Sequence, residues 1–214
     1  MSLHADALHT LDGWAAPSPA QEALRARFTA HLREHPDGVE RGCRPDHLTA
    51  STAVLSPDGA WVLLTLHAKA RRWFQVGGHC EEGDRSLAGA AAREAAEESG
   101  LVGLRLDPQP VQLSEHAVPF CGGAGGVHHL DVRFAAVAEH GPEADEHVVS
   151  EESLDVRWWP VDALPDPDPD LVELVALARE RLATLAPAQG VSVPGASASL
   201  AGGSTSAAAD QPSR

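Results

Sequence analysis

The amino-acid sequence predicts an α+β fold for a chain of 214 residues. Three observations support this class. An apolar stripe at spacing four indicates a helix near the N-terminus, two apolar runs joined by a Pro-Asp-Gly turn indicate a hairpin, and an alanine-rich acidic segment indicates a helix in the middle of the chain. More strand patterns and a last amphipathic helix follow, so the predicted order is helix, hairpin, helix, several strands and helix.

The first predicted helix lies in residues 19–35. Ser18-Pro19 is a helix-start signal, and Leu24, Phe28 and Leu32 follow it at spacing four. We therefore expect an amphipathic helix that lies on the rest of the domain.

Composition divides the chain into three parts. Residues 1–46 are predicted to be a helical segment packed on the domain, and residues 47–185 are predicted to form the domain itself. Residues 186–214 are rich in Ala, Ser, Gly and Pro and have almost no large apolar side chains. Such a segment buries too little surface to offset the entropy of ordering, so we expect it to be disordered.

The hairpin is predicted between Leu48 and His67. Its two apolar runs are joined by Pro57-Asp58-Gly59, a turn tripeptide that favours a tight reversal.

The segment from Gln75 to Leu101 predicts a glycine loop, a turn and then one helix. Asp84 or Ser86 can cap the start of this helix, and Gly100 stands where a left-handed residue would end it.

Glu94, Glu97 and Glu98 fall within about a third of the circumference of that helix, at about 100° per residue. Arg93 lies four residues before Glu97 and can pair with it. Three carboxylates this close repel one another unless a cation lies among them, so the pattern indicates a site for a hard divalent metal. Gly77 and Gly78 would bring bare backbone close to this acidic face.

This segment resembles the signature of the Nudix hydrolases, G-x5-E-x7-R-E-U-x-E-E-x-G-U, where U is a bulky aliphatic residue. The residues that match it in order are Gly78, Arg93, Glu94, Glu97, Glu98, Gly100 and Leu101. There are three departures: Asp84 replaces the first Glu, one extra residue separates it from Arg93, and Ala95 occupies an aliphatic position. These departures leave the role of Asp84 open.

The resemblance implies a Nudix-type α/β/α sandwich with a mixed β-sheet. It also implies hydrolysis of a small nucleoside diphosphate derivative with Mg²⁺ or Mn²⁺, held by Glu94, Glu97, Glu98 and the Gly78 carbonyl, with Arg93 in the catalytic group. Nudix enzymes often supply a further acid from a loop outside the signature. The candidates for it here are Glu146, Glu151 and Glu152.

Further strands are predicted at residues 101–106, 113–120, 127–139 and 154–160, followed by a helix that Asp168 or Asp170 caps. Residues 127–139 alternate in polarity and predict a half-exposed strand. Its polar face, formed by His129, Asp131 and Arg133, either lines a cleft or faces water.

Substrate specificity must come from the walls of the site. Arg71, Arg72 and Trp73, before the glycine loop, combine cations with an aromatic ring, which suits a base and phosphates. The alternatives are a solvated loop for the arginines and a core position for Trp73. Together with the polar strand face, these residues favour a nucleotide sugar, ADP-ribose or a modified nucleoside triphosphate.

Composition limits the partners. A formal net charge of −15 argues against a nucleic-acid polymer, because no basic patch is available to release counterions. No segment approaches the ~20 apolar residues that span a bilayer, so no membrane partner is expected. A homodimer is left open.

Cysteine usage predicts a reducing cytoplasm, because the cysteines are odd in number and widely spaced. They are Cys43, Cys80 and Cys121. His79 beside Cys80, and the pair His128-His129, are zinc-ligand types, but no C-x2-C or H-x3-H spacing supports a structural zinc site.

Two other functions stay open. A non-catalytic nucleotide sensor on the Nudix fold would keep the pocket and lose metal ligands, and the intact Glu94, Glu97 and Glu98 argue against it. An enzyme resembling the prenyl diphosphate isomerases would need an acid and a thiol, and Cys80 beside the glycine loop is the candidate thiol.

Overall fold

A computed structural model describes residues 1–118, 127–144 and 153–185. Within these ranges the chain forms four helices and eight strands. The helices are α1 (Leu3–Gly13), α2 (Pro19–Glu34), α3 (Leu87–Ser99) and α4 (Pro169–Leu185). The strands are β1 (Asp46–Leu55), β2 (Trp61–His67), β3 (Trp73–Phe74), β4 (Val76–His79), β5 (Arg105–Leu106), β6 (Gln112–Ala117), β7 (His128–Val137) and β8 (Ser153–Pro160).

One mixed sheet contains all eight strands. β1 runs parallel to β7 from the Asp46–His128 pair to the Leu55–Val137 pair. Its other edge pairs antiparallel with β4 and then with β2. β2 also pairs with β3 and β8, and β7 also pairs with β5 and β6, all antiparallel. β1 is therefore the centre of the sheet.

Helices cover both faces of this sheet. Successive side chains of a strand point to opposite faces of the sheet, so alternate residues of β1 and β7 belong to different cores. Leu48 and Leu130 join a core with α1, α2 and α3, whereas Leu55 and Ala135 join a core with α4. The predicted α/β/α sandwich with a mixed sheet is confirmed.

The hairpin turn forms where the sequence predicts it. Gly59 has a positive φ of 66°, which favours glycine. Its amide donates to the Ser56 carbonyl at 2.9 Å.

Residues 1–46 were predicted to be a helical segment, but no separate sequence pattern indicated helix α1. Ser2 caps it by accepting a hydrogen bond from the Ala5 amide, and Ala7 and Leu11 are fully buried. They pack in the same core as Phe28 of α2 and Leu130 of β7. Only Ala7 and Leu11 of α1 are buried. Two apolar positions are too few to predict a helix from periodicity alone, so the contacts with α2 and the sheet are needed to explain it.

Two local predictions are wrong. The segment expected to be a glycine loop contains strand β4, in which Gly77 and Gly78 pair with Ser51 and Ala50 of β1. Strand β7, expected to be half exposed, is buried over most of its length, because helices cover both faces of the sheet. Both errors have the same cause: strand pairing and burial by helices depend on distant parts of the chain, which a local pattern does not contain.

Several predictions fall on residues that the structure does not describe. These are the extension of β6 to residue 120, Cys121, the acids Glu146, Glu151 and Glu152, and the low-complexity residues 186–214. In the described ranges, no helix has the length and apolar character needed to cross a bilayer.

Candidate active site

Helix α3 positions the acidic residues of the site. The Ser86 hydroxyl caps its start by accepting a hydrogen bond from the Gly89 amide at 3.0 Å. Gly100 ends it in the left-handed conformation, with φ of 69°. Of the two predicted N-caps, the structure has Ser86. Ala91 and Ala95 are fully buried against the sheet, so the opposite face of α3 presents its glutamates.

Arg93 is the centre of the site. Its Nη1 donates to Glu94 Oε1 and to Glu97 Oε2, both at 2.9 Å. Its Nη2 donates to the His79 carbonyl at 3.0 Å. The arginine therefore links two acids of α3 to the end of β4, and it offsets the repulsion between the carboxylates.

Asp84 completes the arginine's contacts. Arg93 donates to both of its carboxylate oxygens, from Nε at 3.2 Å and from Nη2 at 3.0 Å. The Glu81 amide donates to the same carboxylate at 2.8 Å. Burial opposes ionisation, but these donors hold the pKa of Asp84 below its ordinary value. Asp84 thus has a defined position in the site despite the extra residue in the motif.

The two glycines of β4 contact the remaining acids. The Gly77 amide donates to Glu98 Oε2 at 2.9 Å. A Cβ on Gly78 would lie 2.6 Å from Glu94 Oε2, so a larger residue here would displace that carboxylate from its observed position. A Cβ on Gly77 would lie 2.5 Å from Ser51 Cα, so this position also requires glycine. Gly77 and Gly78 therefore allow close packing on the two faces of β4.

The donor chemistry of this site fits a hard divalent cation, because it consists of carboxylates beside bare backbone. Burial raises the pKa of Glu94 despite its bond with Arg93, so a nearby positive charge would stabilise its ionised form. Among the described residues, three groups of His, Cys, Asp or Glu bring three ligand atoms within 4.8 Å of one another, and none contains Glu94, Glu97 or Glu98. Their bonds with Arg93 and Gly77 hold these acids in separate positions along α3.

Arg71, Arg72 and Trp73, before β4, were predicted to form one side of the substrate walls. Arg72 forms ion pairs with Asp166 at 2.7 Å and Asp168 at 3.0 Å. The Trp73 ring packs edge-on to Trp159, with centroids 5.2 Å apart. Arg71 is exposed and forms no ion pair within the described ranges. Of the two cations, Arg71 is the one that remains available to a ligand.

Asp131 and Arg133 are buried in a polar network below α4. Asp131 accepts hydrogen bonds from Ser51 at 2.7 Å and from Arg133 Nε at 2.9 Å. Arg133 Nη1 reaches Asp170, at the start of α4, at 2.7 Å. Burial opposes ionisation of Asp131, but the Arg133 guanidinium holds its pKa below the ordinary value. These two residues join the sheet to α4 and present little surface to a ligand, with 3% and 4% exposed.

His129 lies two residues before Asp131 on the same face of β7, in a cluster of histidines. Its ring centroid is 4.9 Å from those of both His47 and His79. Burial lowers the pKa of His79 to about 4 and that of His129 to about 3, so both rings are neutral near pH 7. The ring contacts of His129 are therefore with other histidines, although the charge of Asp131 also acts on it.

Sequence patterns missed three contacts that support the site. These are the Asp84–Arg93 pair, the His79 carbonyl that accepts from Arg93, and a bond from the Leu87 amide to Asp6 Oδ2 at 2.9 Å. Asp6 belongs to α1, about eighty residues before α3. Only the Asp84 pair had a signal in the sequence, because Asp84 stands near the first acid of the motif.

The fold is that of enzymes that hydrolyse phosphorus-containing anhydrides. A family model described as NUDIX domain matches residues 45–178. The chain therefore belongs to the Nudix hydrolase family.

Several solved structures are similar to this chain. A Nudix-family hydrolase from Clostridium perfringens is 23% identical, covers 65% of this chain and 97% of its own, and has a TM-score of 0.49. The dihydroneopterin triphosphate pyrophosphohydrolase of E. coli is 20% identical, with coverage of 65% and 96% and a TM-score of 0.50. The NUDIX domain of Shewanella oneidensis NrtR, complexed with ADP ribose, is 21% identical, with coverage of 67% and 92% and a TM-score of 0.49. No match was found among curated proteins.

Proposed function

We propose that this protein is a metal-dependent hydrolase that cleaves the diphosphate linkage of a small nucleoside diphosphate derivative. The observation that carries the proposal is the set of acids on α3, tied through Arg93 and Gly77 to the end of β4. An acidic helix face exposed only to water would not need close-packed glycines beside it. It would also not need an arginine that donates hydrogen bonds to four different residues. Mg²⁺ or Mn²⁺ is the proposed cofactor.

When bound, the metal would neutralise charge on the diphosphate and lower the pKa of a bound water. Glu94, Glu97 and Glu98, with the Gly78 carbonyl, are the proposed ligands. Arg93 orients Glu94 and Glu97 through its Nη1. A carboxylate oxygen of Glu97, Glu98 or an acid of residues 146–152 would accept the proton of the attacking water.

The direct test is a turnover assay on purified protein with Mg²⁺ or Mn²⁺ and a panel of nucleotide sugars, ADP-ribose and modified nucleoside triphosphates. Glu97→Gln and Glu98→Gln should each lower kcat by at least ~10²-fold while the melting temperature stays close to that of the parent, because these acids stabilise charge and do not fill the core. Near-normal turnover in both variants would rule out the metal-helix mechanism.

The two alternative functions find less support. A nucleotide sensor has no need for the Arg93 bonds that orient the glutamates, and measured turnover on any substrate of the panel would exclude it. A prenyl diphosphate isomerase needs a reactive thiol, but burial raises the pKa of Cys80 to about 12. This thiol is protonated and poorly reactive at neutral pH.

For the substrate, we propose a nucleoside diphosphate derivative whose base or sugar lies near Arg71 and Trp73. Arg72, His129, Asp131 and Arg133 were also predicted as substrate contacts. Of these, Arg72, Asp131 and Arg133 already have ion-pair partners, so their contribution would be to hold the walls in place. The proposed location is a reducing cytoplasm, which suits the free thiols of Cys43 and Cys80.

The substrate assignment predicts a split in kinetic parameters. Trp73→Ala and Arg71→Ala should raise KM for the best small nucleotide substrate with less change in kcat, because such contacts bind the ground state and the transition state alike. Arg85→Ala, an exposed arginine in the turn before α3, is the control and should leave KM unchanged. If Trp73→Ala and Arg71→Ala both have the KM of the parent, the nucleotide base binds at another part of the protein and this substrate assignment is wrong.

A further inference from the structure

Three histidines from three adjacent strands meet on the face of the sheet opposite α3. They are His47 of β1, His79 of β4 and His129 of β7, and His47 and His129 are direct partners in the parallel β1–β7 ladder. The ring centroids form a nearly equilateral triangle, with sides of 4.9, 4.9 and 5.2 Å. One ring nitrogen from each histidine lies within 4.8 Å of the other two. We call these residues the histidine triad.

The triad contains buried nitrogen atoms without hydrogen bonds. His47 is fully buried, and neither of its ring nitrogens makes a hydrogen bond of ordinary geometry, although the Cys43 carbonyl lies nearby. The Nε2 atom of His129 is likewise buried without one. Leaving such atoms unpaired is unfavourable, so most buried polar atoms in native proteins have a partner. A bound ligand at the centre of the triad would supply it.

The chemistry of the triad suits a transition metal. Burial lowers the pKa of His47, despite the nearby Cys43 carbonyl, so its ring is neutral at pH 7 and carries a free lone pair. Zn–N bonds measure about 2.0–2.1 Å, so nitrogens within 4.8 Å can reach one ion by small side-chain rotations. Mg²⁺ prefers oxygen ligands, whereas imidazole nitrogen favours zinc and its neighbours.

We propose that the histidine triad is a second metal site, which binds one divalent transition metal of the Zn²⁺ class. Three protein ligands leave a fourth coordination position open, as in zinc sites that hold a water or a substrate atom. The site would join β1, β4 and β7 beside the glycines of β4. It is distinct from the glutamates of α3, because Gly78 faces Glu94 and His79 points to the opposite face.

The surrounding charges are mixed. Arg41 and Arg44 lie close enough to disfavour protonation of the triad, and Asp131 acts in the opposite direction on His129. Two other groups of metal-ligand types occur in the described residues: His35, Asp37 and Cys43, and Asp46, Glu115 and His128. In the second group, Asp46 is already paired with Arg27, so we expect this group to bind a metal ion less well than the histidine triad does.

The test is zinc binding by the full-length protein without a histidine tag. The protein is stripped with a chelator, Mg²⁺ is added in excess to fill oxygen sites, and Zn²⁺ is titrated against a chromophoric chelator. We expect one tight equivalent, imidazole scattering in the zinc X-ray absorption spectrum, and a rise in melting temperature with Zn²⁺. His79→Gln and His129→Gln should each weaken zinc binding by at least ~10²-fold.

Matched variants separate the competing sites. His128→Gln, the next residue on β7, tests the Asp46 group, Cys43→Ser tests the Cys43 group, and Glu97→Gln tests the glutamates of α3. All three should bind zinc like the parent. The proposal is overturned if His79→Gln and His129→Gln bind zinc normally, or if one of the control variants loses the site. Circular dichroism of the zinc-free variants verifies folding, and if one triad variant fails to fold, the other decides.

The result is independent of the proposed hydrolase function. A protein that hydrolyses nucleotides with Mg²⁺ and binds no zinc would overturn only the second site. A protein that binds zinc at the triad and hydrolyses nothing would overturn only the hydrolase assignment.

Discussion

At the residue scale, the site depends on Arg93 more than on any single acid. Four carboxylate or carbonyl acceptors surround its guanidinium: those of Asp84, Glu94, Glu97 and His79. Of these acceptors, the sequence predicted only Glu97, because spacing four on a helix guarantees proximity. Asp84 lies before the helix, where turn geometry decides whether its side chain reaches Arg93.

We predict that Asp84→Asn lowers the free energy of unfolding at pH 7 by about 1.5–3 kcal/mol, the range for hydrogen bonds to charged groups. Asp84 is 7% exposed and Arg93 is 22% exposed, so solvent screens their interaction weakly. Urea denaturation of the parent and the variant measures the difference.

The same difference should depend on pH. The pKa of Asp84 in the folded protein lies below its ordinary value of 3.8, so its stabilisation is present above that value and is lost as the pH falls through the folded-state pKa. The two denaturation curves should therefore converge in acid. Glu81→Gln, at an acid that is 67% exposed and 3.9 Å from Arg93, is the control and should show almost no difference. A pH-independent gap would contradict the ion-pair explanation.

At the scale of elements, helix α3 is held by parts of the chain far from its own motif. The face of α3 that carries Ala91 packs in one core with α1, α2 and the sheet. The Asp6 carboxylate of α1 accepts a hydrogen bond from the first residue of α3. A carboxylate there also interacts favourably with the helix dipole. The N-terminal helices are thus part of what positions the glutamates.

We predict that Asp6→Asn lowers the free energy of unfolding by about 0.5–2 kcal/mol, because it weakens an anionic cap at the start of α3. Asp12→Asn is the matched control on the same helix. Asp12 is 50% exposed and pairs with an exposed Arg33, and such pairs contribute little. Equal losses in the two variants, measured by chemical denaturation, would show that the Asp6 bond has no particular role.

At the scale of the whole molecule, helices on both faces of one sheet enclose three cores. These cores contain the largest fully buried side chains of the described residues, such as Phe28, Phe134 and Leu174. The composition of residues 186–214 offers almost nothing to add to them.

We predict that truncation after Ala186 leaves the melting temperature and the turnover number unchanged within error. Thermal unfolding and the nucleotide assay on the two proteins measure both quantities. Slow hydrogen exchange in residues 187–214 of the full chain, or a lower melting temperature after truncation, would show that the segment docks on the domain.

The sequence by itself determined the elements whose signals are local. The α2 stripe, the Pro57-Asp58-Gly59 turn, the Gly100 helix end and the Arg93–Glu97 pair all depend on residues within a few positions of one another. Local spacing also fixed the acidic face of α3, and with it the family. Such features form from backbone geometry and short contacts, so a periodic pattern is enough to predict them.

Only the tertiary structure decided which distant residues share a surface. It placed Gly77 and Gly78 in a strand against β1, buried the polar face of β7 under α4, and brought Asp6 to the start of α3. It also gathered the histidine triad, which no spacing rule for metal ligands could detect. Strand pairing joins residues that lie thirty or eighty positions apart, and the pairing is selected by the packing of the whole core, which no short stretch of sequence encodes.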